Sequence, residues 1–396
     1  MKILIVNQAF YPDQSASSQY VNELALELVK RGHQISVVTA NKGYLNQNEK
    51  YQTYEEINGI KVIRASSVNY RNTKVLRILS AIWTNFSLLL KVITSGAHDK
   101  TIVLTSPPML GFFISFLPKS IIGELIHWAL DINPDQAIKA KWIKNNIVIA
   151  ILLKLQKIFF ARCNKIIVLD RFMQELLLSK GVEKEKLVVC SLWWSKVNSD
   201  DHISNTTNFR IKNNLQDKKI IMYAGNHSIC HPLDRLLDIA LEMRNNLNFA
   251  FVFVGSGYRV DEVLKFKEKH RLDNILHFDY VPNNDLIDLL SSADVHVVSQ
   301  GSEYVGIVHP SKIYGIIAHH KPILIFSPEV SSVTEICKDY KLAHLSENVE
   351  KDIAWIKSII NCSKAEMTKL STDLKHVTTK YDKNLVFNKL APIILS

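Results

Sequence analysis

Strand-like and helix-like segments alternate along almost the whole chain, and this rhythm leaves few folds open. Residues 2–7 read as a buried strand, 17–31 as a helix and 34–39 as a strand. The helix carries Tyr20, Val21, Leu24, Ala25 and Leu28 at the spacing of one face, and Gly32 stands just past its end. Asn58-Gly59 marks a turn before a strand at 60–64. A helix near 75–94 and strands at 101–105 and 123–128 follow; then come a basic apolar helix, a strand at 165–169, a helix at 171–180 and a strand at 187–191. The rhythm resumes with strands at 219–223, 249–254, 275–278, 295–298 and 322–326, and with helices at 233–245, 260–270 and 284–292. A chain of 396 residues is too long for one ordinary core. The expectation is therefore α/β: two doubly wound parallel-sheet domains, 1–197 and 198–375. The polar stretch 195–216 forms the crossing, and a helical segment at 376–396 is expected to return to the first domain.

Composition agrees with a globular protein, at 47% hydrophobic and 22% charged residues. The start turns polar too soon for a signal peptide and reads as a strand. Five scattered cysteines (Cys163, Cys190, Cys230, Cys337, Cys362) form no C-x-x-C pair and suit reduced thiols in a cytoplasmic protein.

The formal charge of +10 asks for a partner. Between Gln136 and Leu169 stand Lys139, Lys141, Lys144, Lys154, Lys157, Arg162 and Lys165, with no acidic residue among them. Bulky apolar side chains, among them Trp142, Ile147, Ile151, Phe159 and Phe160, are interleaved with these charges. A helix near 138–162 of this kind can lie on an anionic membrane surface. The alternative is a helix packed on the sheet with a solvated basic edge. The helix near 75–94, with Trp83 and Phe86 between Arg77 and Lys91, repeats the pattern. Neither reaches about 18 uninterrupted apolar residues, so no membrane span is predicted. Nucleic acid is disfavoured, because the charges are mixed with apolar bulk.

The segment from Tyr304 to Gly315 carries the chemistry. It follows a strand and precedes a short helix, and in α/β units ligands sit where loops leave the carboxyl ends of strands. A helix start offers unpaired N–H groups, and Lys312, beside Ser311, adds a full charge. The expected ligand bears a diphosphate. No D-x-D motif sits at a strand end, so neither a metal nor another cofactor is expected.

Several pieces in order resemble glycosyltransferase family 4, the retaining sugar-nucleotide transferases of the GT-B architecture. They begin with Phe10-Tyr11-Pro12, the loop Ser15-Ala16-Ser17-Ser18 and the run from Arg31-Gly32-His33 to Thr39. His127-Trp128-Ala129-Leu130-Asp131-Ile132-Asn133-Pro134-Asp135 is similar to the family's "D-[LI]-x-P-[DE]", and Tyr223-Ala224-Gly225-Asn226 to its "Y-x-G-N". The donor segment departs from the common pattern: Ile307 and Gly315 stand where most members carry the glutamates of E-x7-E. What remains is similar to transferases of colanic-acid type, from bacterial surface polysaccharide assembly.

The resemblance implies two Rossmann-like domains facing across a cleft, the first binding acceptor and the second a nucleotide sugar. It implies a retaining hexosyl- or N-acetylhexosaminyl-type transferase (EC 2.4). Its acceptor would be a lipid-linked oligosaccharide or polysaccharide of the O-antigen, capsule or exopolysaccharide kind. The enzyme would be cytoplasmic, peripheral on the inner face of the membrane. Donor contacts fall to Gly225, Asn226, Arg259, His309, Ser311 and Lys312, with Glu303 and Glu335 as candidates for sugar and ribose hydroxyls. Ser15, Ser17 and Ser18 line the acceptor side. Asp131 would contact a sugar and His127 would assist proton movement; their alternatives are a capping aspartate and a core histidine. Two other activities stay open: a GT-B sugar-nucleotide epimerase, and a non-catalytic nucleotide-sugar-binding protein, which the missing glutamates would suit.

Overall fold

A computed structural model describes residues 1–43, 48–68, 74–194, 207–372 and 375–396. The stretch 195–206, where the expected domain boundary falls, lies outside the described residues, as does the Arg77 side chain. The chain divides into two compact units, one of 1–191 with 306–309 and 387–396, the other of 192–305 with 310–386.

The strands of the first unit are β1 (Lys2–Val6), β2 (Gln34–Ala40), β3 (Tyr54–Ile57), β4 (Ile60–Ala65), β5 (Lys100–Leu104), β6 (Glu124–Ala129), β7 (Lys165–Val168) and β8 (Leu187–Val189). They form one sheet in the order β3-β4-β2-β1-β5-β6-β7-β8. Every neighbouring pair is parallel except β3 with β4. That hairpin turns on Asn58 and Gly59, both at positive φ, as a tight two-residue connection requires. Ile3, Leu4, Ile5 and Val6 are wholly buried, which explains why β1 reads as one apolar run.

The helices of this unit are α1 (Ala16–Lys30), α2 (Lys74–Thr94), α3 (Leu110–Ile114), α4 (Lys119–Ile122), α5 (Asp135–Lys139), α6 (Asn146–Arg162) and α7 (Arg171–Ser179). Helix α1 buries Val21, Leu24, Ala25 and Leu28 against β2 and β4. The expected basic helix near 138–162 is broken. Helix α5 ends at Lys139, and Asn145 caps α6 by accepting from the N–H groups of Ile147 (2.9 Å) and Val148 (3.2 Å). Such a cap contributes about 1 kcal/mol and fixes a fresh helix start. Lys141 and Lys144 therefore stand between helices, while Lys154, Lys157 and Arg162 ride on α6.

The second unit holds β9 (Lys219–Ala224), β10 (Phe249–Val254), β11 (Ile275–Phe278), β12 (Val295–Ser299), β13 (Ile323–Phe326) and β14 (Ala343–Leu345). All are parallel, in the order β11-β10-β9-β12-β13-β14. Its helices are α8 (Asn208–Lys212), α9 (Asp234–Glu242), α10 (Val260–His270), α11 (Leu286–Ser292), α12 (Lys312–Ala318), α13 (Ser332–Ile336), α14 (Val349–Ile360), α15 (Lys364–Thr372) and α16 (Lys375–Lys380), and α17 (Lys383–Leu395) starts in it. The last ten residues belong to the first unit. There Arg31 Nη2 donates to Asn388 Oδ1 (2.9 Å) and Lys165 Nζ to the Ile393 carbonyl (2.8 Å).

In the second sheet the chain begins at β9, runs to the β11 edge, and restarts on the other side at β12. The carboxyl ends of β9 and β12 thus flank a topological switch point, where an open α/β sheet leaves room for a ligand. The first sheet has its own switch point between β1 and β5. No helix among the described residues is long and apolar enough to cross a membrane.

Candidate active site

At the second unit's switch point three glycines shape the floor. Gly225 follows β9 at φ +124, and Gly255 and Gly257 follow β10 at φ +123 and +144. A Cβ on Gly255 would stand 2.2 Å from the Gly225 carbonyl oxygen, and one on Gly257 would stand 2.6 Å from Asn226 Oδ1. The two turns therefore meet backbone to backbone, which only glycine permits. The Gly225 N–H donates to the Val254 carbonyl and the His227 N–H to that of Ser256, both at 2.9 Å. Those two donors are engaged within the fold, so the expected direct approach of a phosphate to Gly225 finds its N–H already paired.

The charge at this place comes from Lys312. Its Nζ lies 3.5 Å from the centre of the Tyr223 ring, and 3.3 Å from where a Cβ on Gly225 would be. The residue as a whole keeps some exposure, but Nζ is covered and has no hydrogen-bond partner among the described residues. Burial pushes its pKa well below the usual lysine range. Tyr223 is itself buried, and its hydroxyl donates to the Asn226 carbonyl (2.8 Å).

Two histidines flank the lysine. His227 Nδ1–H donates to the Gly225 carbonyl (3.1 Å) and His231 Nδ1–H to that of Ser299 (2.6 Å). Burial first, and then the Lys312 charge, hold both near 3, so both rings are neutral at ordinary pH. Ser311 precedes α12 without a side-chain cap bond. The N–H groups of Ile313 and Tyr314 already reach the Pro310 and Ser311 carbonyls at 3.3 Å. The lysine, more than the helix start, is therefore what this corner offers an anion.

The other expected donor residues are less concentrated. Arg259 pairs with Glu262 (2.9 Å) and Asp234 (3.4 Å), while its Nε is buried and unpartnered among the described residues. Asn226 is exposed beside Gly225. Glu303 and Glu335 stand exposed on separate elements. Gly315 lies inside α12, where a Cβ would touch Leu290 at 3.4 Å, and Ile307 is buried in the first unit.

Asp131 and His309 come together in the first unit. Asp131 bridges to Val308, and the Ile132 N–H donates to the Ile307 carbonyl (2.8 Å). His309 Nδ1–H donates to Asp170 Oδ2 (2.8 Å), with the ring 1% exposed. Asp170 also caps α7 by accepting from the Met173 N–H (2.8 Å). Burial alone would raise Asp170, but the His309 bond and charge and two backbone N–H groups outweigh it and hold the carboxyl low. At Asp131 burial wins and pushes the pKa up to about 6, with the His309 charge opposing. Nothing in the spacing exposed Asp170 as the partner of His309. Its place just before a helix was the one available signal.

His127 sits in the core. Its Nδ1–H donates to the Val103 carbonyl (2.9 Å), Phe159 and Phe160 pack on the ring, and burial holds it near 4. This is the core-histidine alternative in geometric form. Ser15 and Ser18, at the start of α1, have buried hydroxyls unpartnered among the described residues, and Ser17 between them is half-buried.

Residues 204–373 match the family model of the glycosyl transferases group 1. The chain carries that domain, and with two parallel-sheet α/β units it is a glycosyltransferase of the GT-B fold. It is similar to the glycosyltransferase WbjE of Pseudomonas aeruginosa, 24% identical over 269 residues that cover 67% of each chain. It is also similar to WcaI of Escherichia coli K12, a glycosyl transferase named for colanic acid biosynthesis. That match is 21% identical over 380 residues, 91% of this chain and 92% of that one. Among solved structures, Anabaena HepE in complex with UDP-glucose matches the fold with a TM-score of 0.70 at 15% identity, over 99% of both chains.

Proposed function

We propose that the chain transfers a sugar, with retention, from a nucleotide-sugar donor to a lipid-linked oligosaccharide or polysaccharide in bacterial surface glycan synthesis. The observation that carries this reading is the covered Nζ of Lys312, unpartnered among the described residues, at the switch point of the sheet that bears the family domain. The names of WbjE and WcaI support a surface polysaccharide, and UDP-glucose in HepE supports a nucleotide-sugar donor.

In the transfer, the bond between the sugar's anomeric carbon and the β-phosphate oxygen breaks, and the nucleoside diphosphate leaves with the electron pair. A bond forms from the acceptor oxygen on the same face, and the leaving phosphate takes the acceptor's proton. Lys312 would meet the developing negative charge. Asp131 would hold a sugar or acceptor hydroxyl. Positioning does the rest, with no dedicated base. The reading includes no metal; turnover that survives excess chelator agrees with it, and loss restored by a divalent ion contradicts it.

An anionic bilayer is the proposed meeting place with the acceptor. Helix α2 exposes Ile78 (60%), Ile82 (60%) and Phe86 (52%), and α6 exposes Ile147 (72%) and Ile151 (52%). Helix α3, with Phe113 exposed on it and Phe116 exposed just beyond its end, packs against both. Lys154, Lys157 and Arg162 supply the charge such a surface attracts.

The test is incubation of purified protein with labelled nucleotide sugars, alone and with bacterial membrane extract. Label moving into the lipid-extractable fraction only when extract is present supports the proposal. Conversion of the donor sugar without acceptor would indicate an epimerase instead.

A further inference from the structure

We infer that Gln156, a buried amide on α6, is a positioning residue for Asp131: with Lys180 and Asp135 it fixes the loop that carries that carboxylate. The inference rests on the role given to Asp131 above. Helix α6 buries three side chains, Gln156, Phe159 and Phe160. The two rings pack on His127, while Gln156, 5% exposed, is a polar group where an apolar one would fill the same space. A buried amide is costly unless its donors and its acceptor are engaged. Here all of them are. Nε2 donates to the Asn133 carbonyl (2.9 Å) and to Asp135 Oδ2 (2.8 Å), and Oε1 accepts from Lys180 Nζ (2.8 Å). Lys180 closes the ring by pairing with Asp135 Oδ1 at 2.7 Å. Turned round, the amide would aim its oxygen at a carbonyl and a carboxylate, so one orientation fits.

The network holds the exit of the Asp131 loop. The entrance is fixed elsewhere: Thr105 Oγ1 accepts from the N–H groups of Leu130 (3.0 Å) and Asp131 (3.3 Å), and the Ile132 N–H reaches the Ile307 carbonyl. Beyond Ile132 the chain passes into α5, five residues with no buried side chain and no side-chain cap bond. A helix of that length does not hold itself in water. The Asn133 carbonyl and the Asp135 carboxylate, just past Asp131, are therefore tied down by α6 and by Lys180 at the end of α7, not by packing of α5. Without those bonds the Asp131 carboxylate is free to drift, and a displacement of about 1 Å at a reacting centre costs on the order of a hundredfold in rate.

The experiment is a double-mutant cycle on transfer rates, with labelled UDP-glucose, GDP-mannose and dTDP-glucose tried as donors and bacterial membrane extract supplying the acceptor. Gln156→Met keeps the length of the side chain and removes its hydrogen bonds. In the wild-type background it should lower kcat/KM for the donor at least about tenfold, with circular dichroism and a cooperative melt unchanged in form. In an Asp131→Ala background the same change should cost less than about twofold, because a group already removed has no position left to lose. A smaller folded fraction would lower both backgrounds alike, so the coupling separates positioning from stability. Should Gln156→Met not fold, Lys180→Met opens the same network from its more exposed side and should show the same coupling. Equal losses in the two backgrounds would overturn the inference, as would an unchanged rate in folded Gln156→Met. If Asp131→Ala alone transfers at the wild-type rate, the role of Asp131 fails and takes the inference with it, a result distinct from a neutral Gln156. Label that never reaches lipid from any of the three donors would remove the transfer reading beneath both.

Discussion

The Nζ of Lys312 lies 3.5 Å above the centre of the Tyr223 ring, which places the first residue of α12 over the carboxyl end of β9. The two residues are 89 positions apart in the chain (312 − 223), and they meet because β9 and β12 are neighbours in the sheet. The switch point thus brings Lys312 to the corner where two glycine turns pack backbone to backbone. The contact is assembled by topology, not by a single loop.

Asp131 tests whether charge at neutral pH serves function at the expense of stability. Its folded pKa, up at about 6, exceeds the ordinary carboxyl value near 3.9. The folded state then binds more protons between these values, so stability falls as pH rises through them. Asp131→Asn should raise Tm at about pH 7.5, and the gain should vanish as pH falls to about 4. If Asp131 touches substrate, turnover should drop at least about tenfold in the same variant, the loss of one charged hydrogen bond. Thermal unfolding across pH, paired with an initial-rate assay, reads both. A stability gain with unchanged rates would remove Asp131 from the reaction.

Gly255→Ala should damage the fold at the donor site. The added Cβ meets the Gly225 carbonyl at 2.2 Å, and φ +123 is a conformation L residues avoid. Strain of this kind costs about 1–3 kcal/mol before any backbone shift. Urea unfolding should show a loss of that order or more. A neutral result would mean that the two turns do not pack as described.

Much of this was legible in the sequence. The buried run of β1, the face of α1 and the "Y-x-G-N" turn are local patterns, and Lys312 stood in a recognisable loop. Asp170 was not legible as the partner of His309, because 139 positions separate them and only the fold brings them to 2.8 Å. Strand β14 (Ala-His-Leu) is too short and lacks β-branched residues, so no period revealed it. The basic helix looks continuous in sequence because charge and hydrophobicity do not change at Asn145; the break lies in its capping bonds. His127 looked functional by motif, while its ring belongs to the core with Phe159 and Phe160.

His127→Leu should therefore cost stability and spare chemistry. Losing the bond to Val103 leaves a buried carbonyl less satisfied, about 1–3 kcal/mol. Chemical denaturation should record that loss while kcat/KM stays within about twofold, less than the tenfold that 1.4 kcal/mol would produce. A fall of about a hundredfold or more, the scale of a lost acid–base group, would return His127 to the mechanism.

Membrane docking makes a separate prediction. Vesicles with anionic lipid should carry the protein in flotation at low salt, and Ile82→Glu with Ile147→Glu should release it. Each change places a carboxylate where an exposed apolar side chain now stands. Protein that stays in the aqueous layer with anionic vesicles at low salt would separate this surface from lipid.

The most direct measurement is the affinity of Lys312→Ala for the nucleotide sugar that binds the wild type best. A charged hydrogen bond of this type contributes about 1.5–3 kcal/mol, so Kd should rise roughly 10- to 150-fold with the fold intact. An unchanged Kd in a folded variant would contradict the assignment of the diphosphate to this lysine.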